Sequence, residues 1–295
     1  QDRGISRLLR KDVREPMKVL ISGGKGLLAV NILPYLGERF DLAVYDIDEW
    51  DITSVSRGRD LMGLHRPDVV LNLAAMTDVD GCEDSQELAG QVNADGAGTV
   101  AELCAAAGTR LVHMSTDYVF DGTKGSPYSE DDEPAPASVY GRTKLAGERM
   151  VLERLPGAAV LRTQWLYGKG GKSFVDTITG LGRQHGKVRV VDDQRGSPTW
   201  ARDLAAPIIS IIEKGLSGIY HVSNSGSCTW FEFARAIFSI LNMDVEASPI
   251  SSDELGRKAA RPAFSVFDLT KLEGSTGIRM RGWMDALKEY LATGG

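Results

Sequence analysis

Lys18-Val-Leu-Ile-Ser22 runs directly into Gly23-Gly-Lys-Gly26, and a segment with helical periodicity begins at Leu27. A short apolar run, a glycine-rich turn and a helix in this order predict the first strand and helix of an α/β fold. Glycine permits a tight turn and lets the backbone approach a ligand closely. The turn therefore predicts both the fold class and a binding loop.

Further apolar runs at 41–45, 69–73 and 110–114 alternate with helical segments such as 85–107. Strands that alternate with helices predict a parallel sheet covered on both faces, and such strands are apolar throughout. A helix at 140–154 and a strand at 158–163 continue the pattern. The predicted fold is α/β, with a Rossmann-like, doubly wound parallel sheet and a smaller C-terminal lobe.

The spacing Gly23-x-x-Gly26-x-x-Ala29, between a strand and a helix, is typical of a dinucleotide-binding loop. Backbone N–H groups and the helix N-terminus stabilise a pyrophosphate there. Asp46 ends the second strand, where an acid hydrogen-bonds the adenosine ribose and disfavours a 2′-phosphate. That position favours NADH, whereas Arg39 and Arg57 are candidates to neutralise a phosphate. The cofactor is therefore predicted as NADPH or NADH.

Composition narrows the class of protein. The chain has 295 residues, 42% hydrophobic, and a formal net charge of −6, which argues against a nucleic-acid-binding surface. No apolar run is long enough to span a membrane. Three separated cysteines without a C-x-x-C pair argue against disulfides and a zinc site, so a cytoplasmic location is expected. We expect a flexible tail at 1–16, an NAD(P)-binding domain at 17–163 and a mainly substrate-binding lobe at 164–295, with the chain free to cross back.

The segment Tyr140-Gly-Arg-Thr-Lys144 contains two candidate catalytic residues. Residues four apart share one face of a helix, so an ammonium beside the phenol is expected to lower the tyrosine pKa. The tyrosine then protonates a carbonyl oxygen as hydride reaches its carbon. Upstream, a strand ends at Met114-Ser-Thr116, and Thr116 is placed to donate a hydrogen bond to the same oxygen. Thr116, Tyr140 and Lys144 are the predicted catalytic residues.

The sequence resembles the dTDP-4-dehydrorhamnose reductase family from Met17 through nearly all of the chain. The matching motifs are Ser115-Thr-Asp-Tyr-Val-Phe-Asp-Gly122, Tyr140-Gly-Arg-Thr-Lys-Leu-Ala-Gly-Glu148, Arg162-Thr-Gln-Trp-Leu-Tyr-Gly168, Val191-Asp-Asp-Gln-Arg-Gly-Ser-Pro-Thr199 and Arg261-Pro262. The resemblance implies NAD(P)H-dependent reduction of the C4 ketone of a dTDP-linked 6-deoxy-keto-sugar.

Further site residues follow from this comparison and from residue chemistry. The predicted cofactor residues are Gly23, Lys25, Gly26, Leu27, Leu28, Asp46, Asp51, Ile52, Ala74, Ala75, Thr77, Tyr140 and Lys144. The predicted substrate residues are Val79, Asp117, Tyr118, Trp165, Arg202 and Arg261. The two arginines are candidates for the diphosphate because a guanidinium binds phosphate oxygens bidentately.

Two departures and two alternatives accompany the resemblance. Some family members form a dimer bridged by magnesium through an acidic residue where this chain has Asn31, so magnesium is doubtful and a monomer or homodimer is expected. The loop has Ala29 where glycine is common. One alternative is a non-catalytic, nicotinamide-binding subunit like the regulatory subunit of methionine adenosyltransferase. The other is a related nucleotide-sugar epimerase or dehydratase, although no extra acid–base pair follows Thr116.

Overall fold

The computed structural model describes residues 15–294. Its centre is a sheet of six parallel strands in the order β10-β5-β4-β3-β1-β2. These strands are β1 (Lys18–Ser22), β2 (Asp41–Val44), β3 (Val69–Asn72), β4 (Arg110–Thr116), β5 (Ala159–Thr163) and β10 (Gly218–His221). The strand order reverses between β1 and β3. In sheets of this type, ligands bind at the carboxyl edge beside such a reversal.

Helices cover both faces of this sheet, which confirms the predicted fold class. The helices of the first half are α1 (Leu27–Gly37), α2 (Val55–His65), α3 (Val79–Asp84), α4 (Gln86–Gly90), α5 (Ala97–Ala107) and α6 (Val139–Arg154). Side chains alternate along β1, so Val19 and Ile21 pack on one face and Leu20 on the other. Each face therefore has its own apolar core.

The predicted helical segment at 85–107 is interrupted. A π-helical turn, Gln91–Gly96, separates α4 from α5. At this turn the Asn93 side chain hydrogen-bonds both backbone groups of Met76. Pro34 lies inside α1 rather than ending it. A proline lacks the N–H of an ordinary residue, yet the helix continues to Gly37 because Ile32 and Leu36 are buried against the sheet.

The second half of the chain adds a smaller layer and then returns to the sheet. Its remaining strands are β6 (Leu166–Tyr167), β7 (Lys187–Val191), β8 (Arg195–Gly196), β9 (Thr199–Trp200), β11 (Cys228–Thr229) and β12 (Glu246–Ile250). Its helices are α7 (Phe174–His185), α8 (Ala205–Lys214), α9 (Trp230–Ile240), α10 (Ser252–Leu255), α11 (Thr270–Thr276) and α12 (Trp283–Ala292). Because β10 pairs in parallel with β5, the chain crosses back after the first part of this lobe.

The core of the smaller layer is aromatic. Tyr167, Trp200, Phe233 and Tyr290 are buried in one cluster. Helix α9 begins with a capping box, in which Thr229 and Glu232 each bond the other's backbone N–H. This cap fixes where α9 begins, and it places Trp230 as the first residue of the helix.

Between residues 15 and 294, no helix combines the length and apolar character that crossing a membrane requires. The predicted N-terminal tail lies almost wholly outside the described residues.

Candidate active site

A cavity of about 710 Å³ lies at the carboxyl edge of the sheet, where the strand order reverses. It extends from the glycine loop after β1 to the end of β4 and the first two turns of α6. The predicted residues that line it are Gly23, Lys25, Gly26, Leu27, Leu28, Asp46, Asp51, Ile52, Ala74, Ala75, Thr77, Val79, Thr116, Asp117, Tyr118, Tyr140, Lys144 and Trp165. The fold thus brings 18 of the 20 predicted residues together.

The glycine loop has the form that a pyrophosphate requires. Gly23 has φ of +73°, and a side chain there would press on the backbone of Ala74. Helix α1 has neither a side-chain N-cap nor an acidic residue in its first turn. Its first N–H groups therefore face the cavity without a competing acceptor side chain. Ala29 is fully buried, so a small residue suffices for α1 to pack against the sheet.

Asp46 follows β2 at the same edge. Its carboxylate accepts hydrogen bonds from the backbone N–H groups of Lys25, at 2.6 Å, and Ile47, at 2.8 Å. The Lys25 amine instead pairs with Asp48 at 2.6 Å. Arg39 pairs with Glu213, and Arg57 donates to the Glu49 carbonyl. Neither arginine lines the cavity, so the structure gives no support to either as a phosphate ligand.

The loop after β3 forms the opposite wall beside the glycine loop. Asn72 is fully buried, and its side-chain oxygen accepts from Ser22 Oγ at 2.7 Å and from the Ala74 N–H at 3.2 Å. Asn93 bonds Met76 and also donates to Thr143 at 3.3 Å. These contacts fix Ala74, Ala75 and Thr77 between the sheet and α6.

The catalytic candidates meet at the end of β4. Ser138 caps α6 by accepting from the Gly141 N–H, so Tyr140 lies in the first turn and Lys144 one turn further on the same face. The Lys144 amine donates to the Met114 carbonyl at 2.6 Å. Both side chains are buried, and Thr116 at the end of β4 lines the same part of the cavity. One hydroxyl, one phenol and one amine therefore surround a single point.

The ionisation of Tyr140 differs from the expectation. Burial raises the Tyr140 pKa well above its usual value, although the nearby Thr116 hydroxyl lowers it in part. Burial also lowers the Lys144 pKa to about 8, and the charge of Glu148 opposes this shift. The Tyr140 pKa is therefore raised overall rather than lowered, because desolvation dominates and the Lys144 amine donates to the Met114 carbonyl. The tyrosine is a protonated acid at neutral pH.

Asp117 and Tyr118 border the same point. Burial raises the Asp117 pKa to about 6, although the hydrogen bond that its Oδ1 accepts from Thr116 at 3.1 Å opposes the shift. One Asp117 oxygen, Oδ2, is buried without a partner. The Tyr118 ring meets the Tyr140 ring edge-on, with centroids 5.3 Å apart. A buried, incompletely bonded carboxylate beside the catalytic phenol is suited to accept hydrogen bonds from sugar hydroxyls.

Two tryptophans, Trp165 and Trp230, form one wall of the cavity. Trp165 has φ of +47°, and its indole stacks on that of Trp230 with centroids 3.5 Å apart. Trp230, Lys172, Gln164 and Ser115 line the cavity but were not predicted from the sequence. Nothing local in the sequence showed that Trp230 would face the cavity.

Two predicted arginines lie outside the cavity lining. Arg202 pairs with Glu289 at 2.7 Å and packs over Trp200 in the smaller layer. The structure therefore does not bring it to the site. Arg261 pairs with Asp80 at 2.9 Å, and its positive charge partly opposes the burial that raises the Tyr118 pKa. It is thus near the cavity wall without lining it.

The region of the doubtful magnesium site is occupied by other contacts. Asn31 donates to the Leu27 and Lys169 carbonyls at 2.7 and 2.8 Å. Within residues 15–294, no group of three or more His, Cys, Asp or Glu side chains is arranged to hold a metal ion.

The family model described as the RmlD substrate binding domain matches residues 17–294. The chain belongs to this family. A dTDP-4-dehydrorhamnose reductase of Mycobacterium tuberculosis is 40% identical to it, with 93% of this chain and 92% of that protein covered. A probable dTDP-4,6-dihydroxy-2-methyloxan-3-one 4-ketoreductase of Streptomyces antibioticus is 42% identical, with 92% and 94% covered.

Solved structures of family members have the same fold as this chain. The dTDP-4-dehydrorhamnose reductase of Bacillus anthracis, crystallised with NADP, superposes with a TM-score of 0.92 at 40% identity. The match covers 94% of this chain and 99% of that one. The resemblance drawn from the sequence motifs is thereby confirmed, and the family members named here are nucleotide-sugar ketone reductases.

Proposed function

We propose that the protein reduces the C4 ketone of dTDP-4-dehydro-L-rhamnose to dTDP-L-rhamnose with NADPH or NADH. One observation carries this proposal. Thr116, Tyr140 and Lys144 converge at one end of a cavity whose other end is the glycine loop at the N-terminus of α1. A dinucleotide bound at the loop would extend along this cavity toward the phenol.

The cofactor is held by the residues of the first lobe. The N–H groups of Gly26, Leu27 and Leu28 would bind the pyrophosphate, Asp46 would bind the adenosine ribose, and Lys144 would bind the nicotinamide ribose. Asp51, Ile52, Ala74, Ala75 and Thr77 complete that part of the wall. When bound, the reduced nicotinamide supplies the hydride that reaches the ketone carbon.

The chain itself supplies the proton. Thr116 donates a hydrogen bond to the ketone oxygen, and Tyr140 transfers its phenolic proton to that oxygen as negative charge develops. The carbonyl thereby becomes a secondary alcohol, and the tyrosine is left as a phenolate. The Lys144 ammonium stabilises that phenolate, because a nearby positive charge favours the ionised form. Burial of all three groups strengthens these interactions by excluding water.

The sugar and diphosphate lie beyond the phenol. We assign Val79, Asp117, Tyr118 and Trp165 to the sugar, since they line this end of the cavity. Arg261 is the stronger candidate for the diphosphate, because it lies beside Tyr118. Arg202 stays a weaker candidate, because its guanidinium packs on Trp200.

The location, oligomeric state and domain organisation of the enzyme follow from the same reading of the chain. We infer a cytoplasmic monomer or homodimer whose partner is the small nucleotide-sugar substrate rather than nucleic acid or membrane. We further propose that residues 17–163 form the cofactor domain and that 164–295 form most of the substrate lobe, with β10 as the returning strand.

The test supplies dTDP-4-dehydro-L-rhamnose, generated in place from its precursors, and follows oxidation of NADPH and NADH separately. Rapid oxidation with dTDP-L-rhamnose as product is expected, and the two rates rank the cofactors. Reduced cofactor that binds but is not oxidised would contradict the proposal. Copurification of a partner enzyme in that case would favour the regulatory-subunit alternative. Tightly retained NAD with turnover of another nucleotide sugar would favour an epimerase or dehydratase.

A further inference from the structure

A buried ion pair lies directly behind the catalytic residues. Glu148 of α6 accepts two hydrogen bonds from Arg162 of β5, from Nε at 2.9 Å and from Nη2 at 2.7 Å. The side chains are only 2% and 1% exposed. Removing two charges from water costs much free energy, so a buried pair is weak evidence for stability and calls for another explanation.

The pair is placed beside the catalytic amine by the local geometry. Glu148 follows Lys144 by four residues, so the carboxylate and the amine share one face of α6. Arg162 lies opposite Ser115 in the pairing of β4 with β5, one residue before the position opposite Thr116. The Lys144 amine itself donates to Met114 on β4. The pair therefore ties α6 to the sheet at the level where the lysine is bound.

We propose that Glu148, oriented by Arg162, is a positioning residue that keeps Lys144 charged and keeps α6 in register with the end of β4. This inference rests on the proposed reduction, in which Lys144 acts as an ammonium. Arg162 fixes the carboxylate bidentately, so the negative charge stays within reach of the amine. One guanidinium nitrogen, Nη1, is buried without a partner, and the guanidinium packs over the Phe120 ring at 5.1 Å.

The charge balance around Lys144 supports this role. Burial lowers the Lys144 pKa to about 8, and Glu148 is the group that raises it. His113 on β4 is neutral, because burial and the charge of Lys144 lower its pKa. The titratable groups on the elements packed around this point are Tyr140 and Glu148 on α6, His113 on β4, Asp117 and Tyr118 after β4, Arg162 on β5 and Cys82 on α3. Glu148 is thus the acidic residue of α6 that lies one helical turn from Lys144.

The test is the alkaline limb of the pH profile of kcat. In the wild type, we expect kcat to fall as the pH rises through about 8, because the ammonium is lost. Glu148→Gln removes the carboxylate and leaves the Arg162 charge, so the limb should move about one unit to lower pH. Glu153→Gln is the matched control, because Glu153 is an exposed acid on the same helix. It should leave the limb in place.

A second variant covers the case in which Glu148→Gln does not fold. Glu148→Gln combined with Arg162→Met removes both charges and leaves no unpaired ion. The limb should still move to lower pH, by less than in the single variant. An unmoved limb in a folded variant, with only kcat or the stability reduced, would show a purely structural pair and overturn the proposal.

A readout without turnover separates this inference from the proposed function. ¹³C-labelled lysine gives an NMR signal at Cε that reports the Lys144 pKa directly, and Lys144→Met assigns the signal. A pKa that falls in Glu148→Gln supports the role of Glu148 even if the keto-sugar is not reduced. An unchanged pKa overturns it even if the reduction is fast.

Discussion

The indole rings of Trp165 and Trp230 stack face to face, with centroids 3.5 Å apart and planes 6° apart. Trp165 belongs to the segment after β5, and Trp230 begins α9, so the stack joins the two layers of the molecule. Gly196 makes the stack possible, because a Cβ there would lie 2.5 Å from the Trp165 ring. The pair forms the wall that faces the predicted sugar site.

Trp230 should therefore influence the keto-sugar more than the cofactor. Trp230→Ala removes a stacked partner worth about 0.5–1.5 kcal/mol, so we expect the KM for the keto-sugar to rise about threefold to tenfold. The KM for NADPH should change little. Steady-state kinetics test this, with Phe231→Ala as the control because Phe231 is the neighbouring aromatic and does not line the cavity. Equal effects of the two substitutions on both KM values would contradict the assignment.

Arg261 should bind the diphosphate. Arg261→Ala removes a bidentate donor, and a charge-assisted hydrogen bond contributes about 1.5–3 kcal/mol, so the KM for the keto-sugar should rise about tenfold or more. Arg257 contacts the same Asp80 but is 59% exposed. Arg257→Ala is thus the matched control and should change that KM less than twofold. A similar KM increase in both variants would indicate that the arginines act only by holding the Asp80 helix.

The ionised Asp117 carboxylate should destabilise the folded protein at neutral pH. Its carboxyl pKa is raised by burial to about 6 in the folded protein, against an ordinary value of 3.8. A carboxyl whose pKa is higher in the folded state lowers the free energy of unfolding, and this loss is complete above pH 6. The loss becomes smaller as the pH falls from 6 toward 3.8, because the carboxyl is then protonated in the folded protein. Asp117→Asn should accordingly raise the free energy of unfolding by about 1–3 kcal/mol at neutral pH while reducing kcat.

Urea unfolding at neutral pH and at a pH near 4 measures this effect. The gain of Asp117→Asn should disappear at the lower pH, where the wild-type carboxyl is protonated. Asp121 is the opposite case, because its pKa is lowered in the folded protein. The largest cause is the hydrogen bond that its carboxylate accepts from the Thr123 N–H. Asp121→Asn should lower the free energy of unfolding at neutral pH. A loss of stability in Asp117→Asn at neutral pH would show that its hydrogen bonds outweigh its desolvation.

Local sequence signals were enough for the centre of the site. The glycine loop, the strand end at Thr116 and the Tyr140 helix each depend on neighbouring residues, and the parallel sheet brings their ends to one edge. The order in which they occur along the chain therefore predicted both the fold and the convergence of the catalytic groups.

Other features depend on distant packing and were not visible. Trp230 reaches the cavity only because α9 packs against the segment that carries Trp165. Arg202 was expected at the diphosphate, but Glu289 and Trp200 hold it in the smaller layer. The raised pKa of Tyr140 was not visible for the same kind of reason, since burial depends on every element around the phenol.

Tyr140→Phe tests the central claim most directly, because it removes only the proton donor from the buried site. The rate of dTDP-4-dehydro-L-rhamnose reduction and the Kd for NADPH, from fluorescence titration, should be measured on the same preparation. We predict that kcat falls by a factor on the order of 10²–10⁴, the usual contribution of a positioned general acid, while the Kd changes less than about threefold. Normal turnover with Tyr140→Phe would contradict the account, since some other group would then deliver the proton.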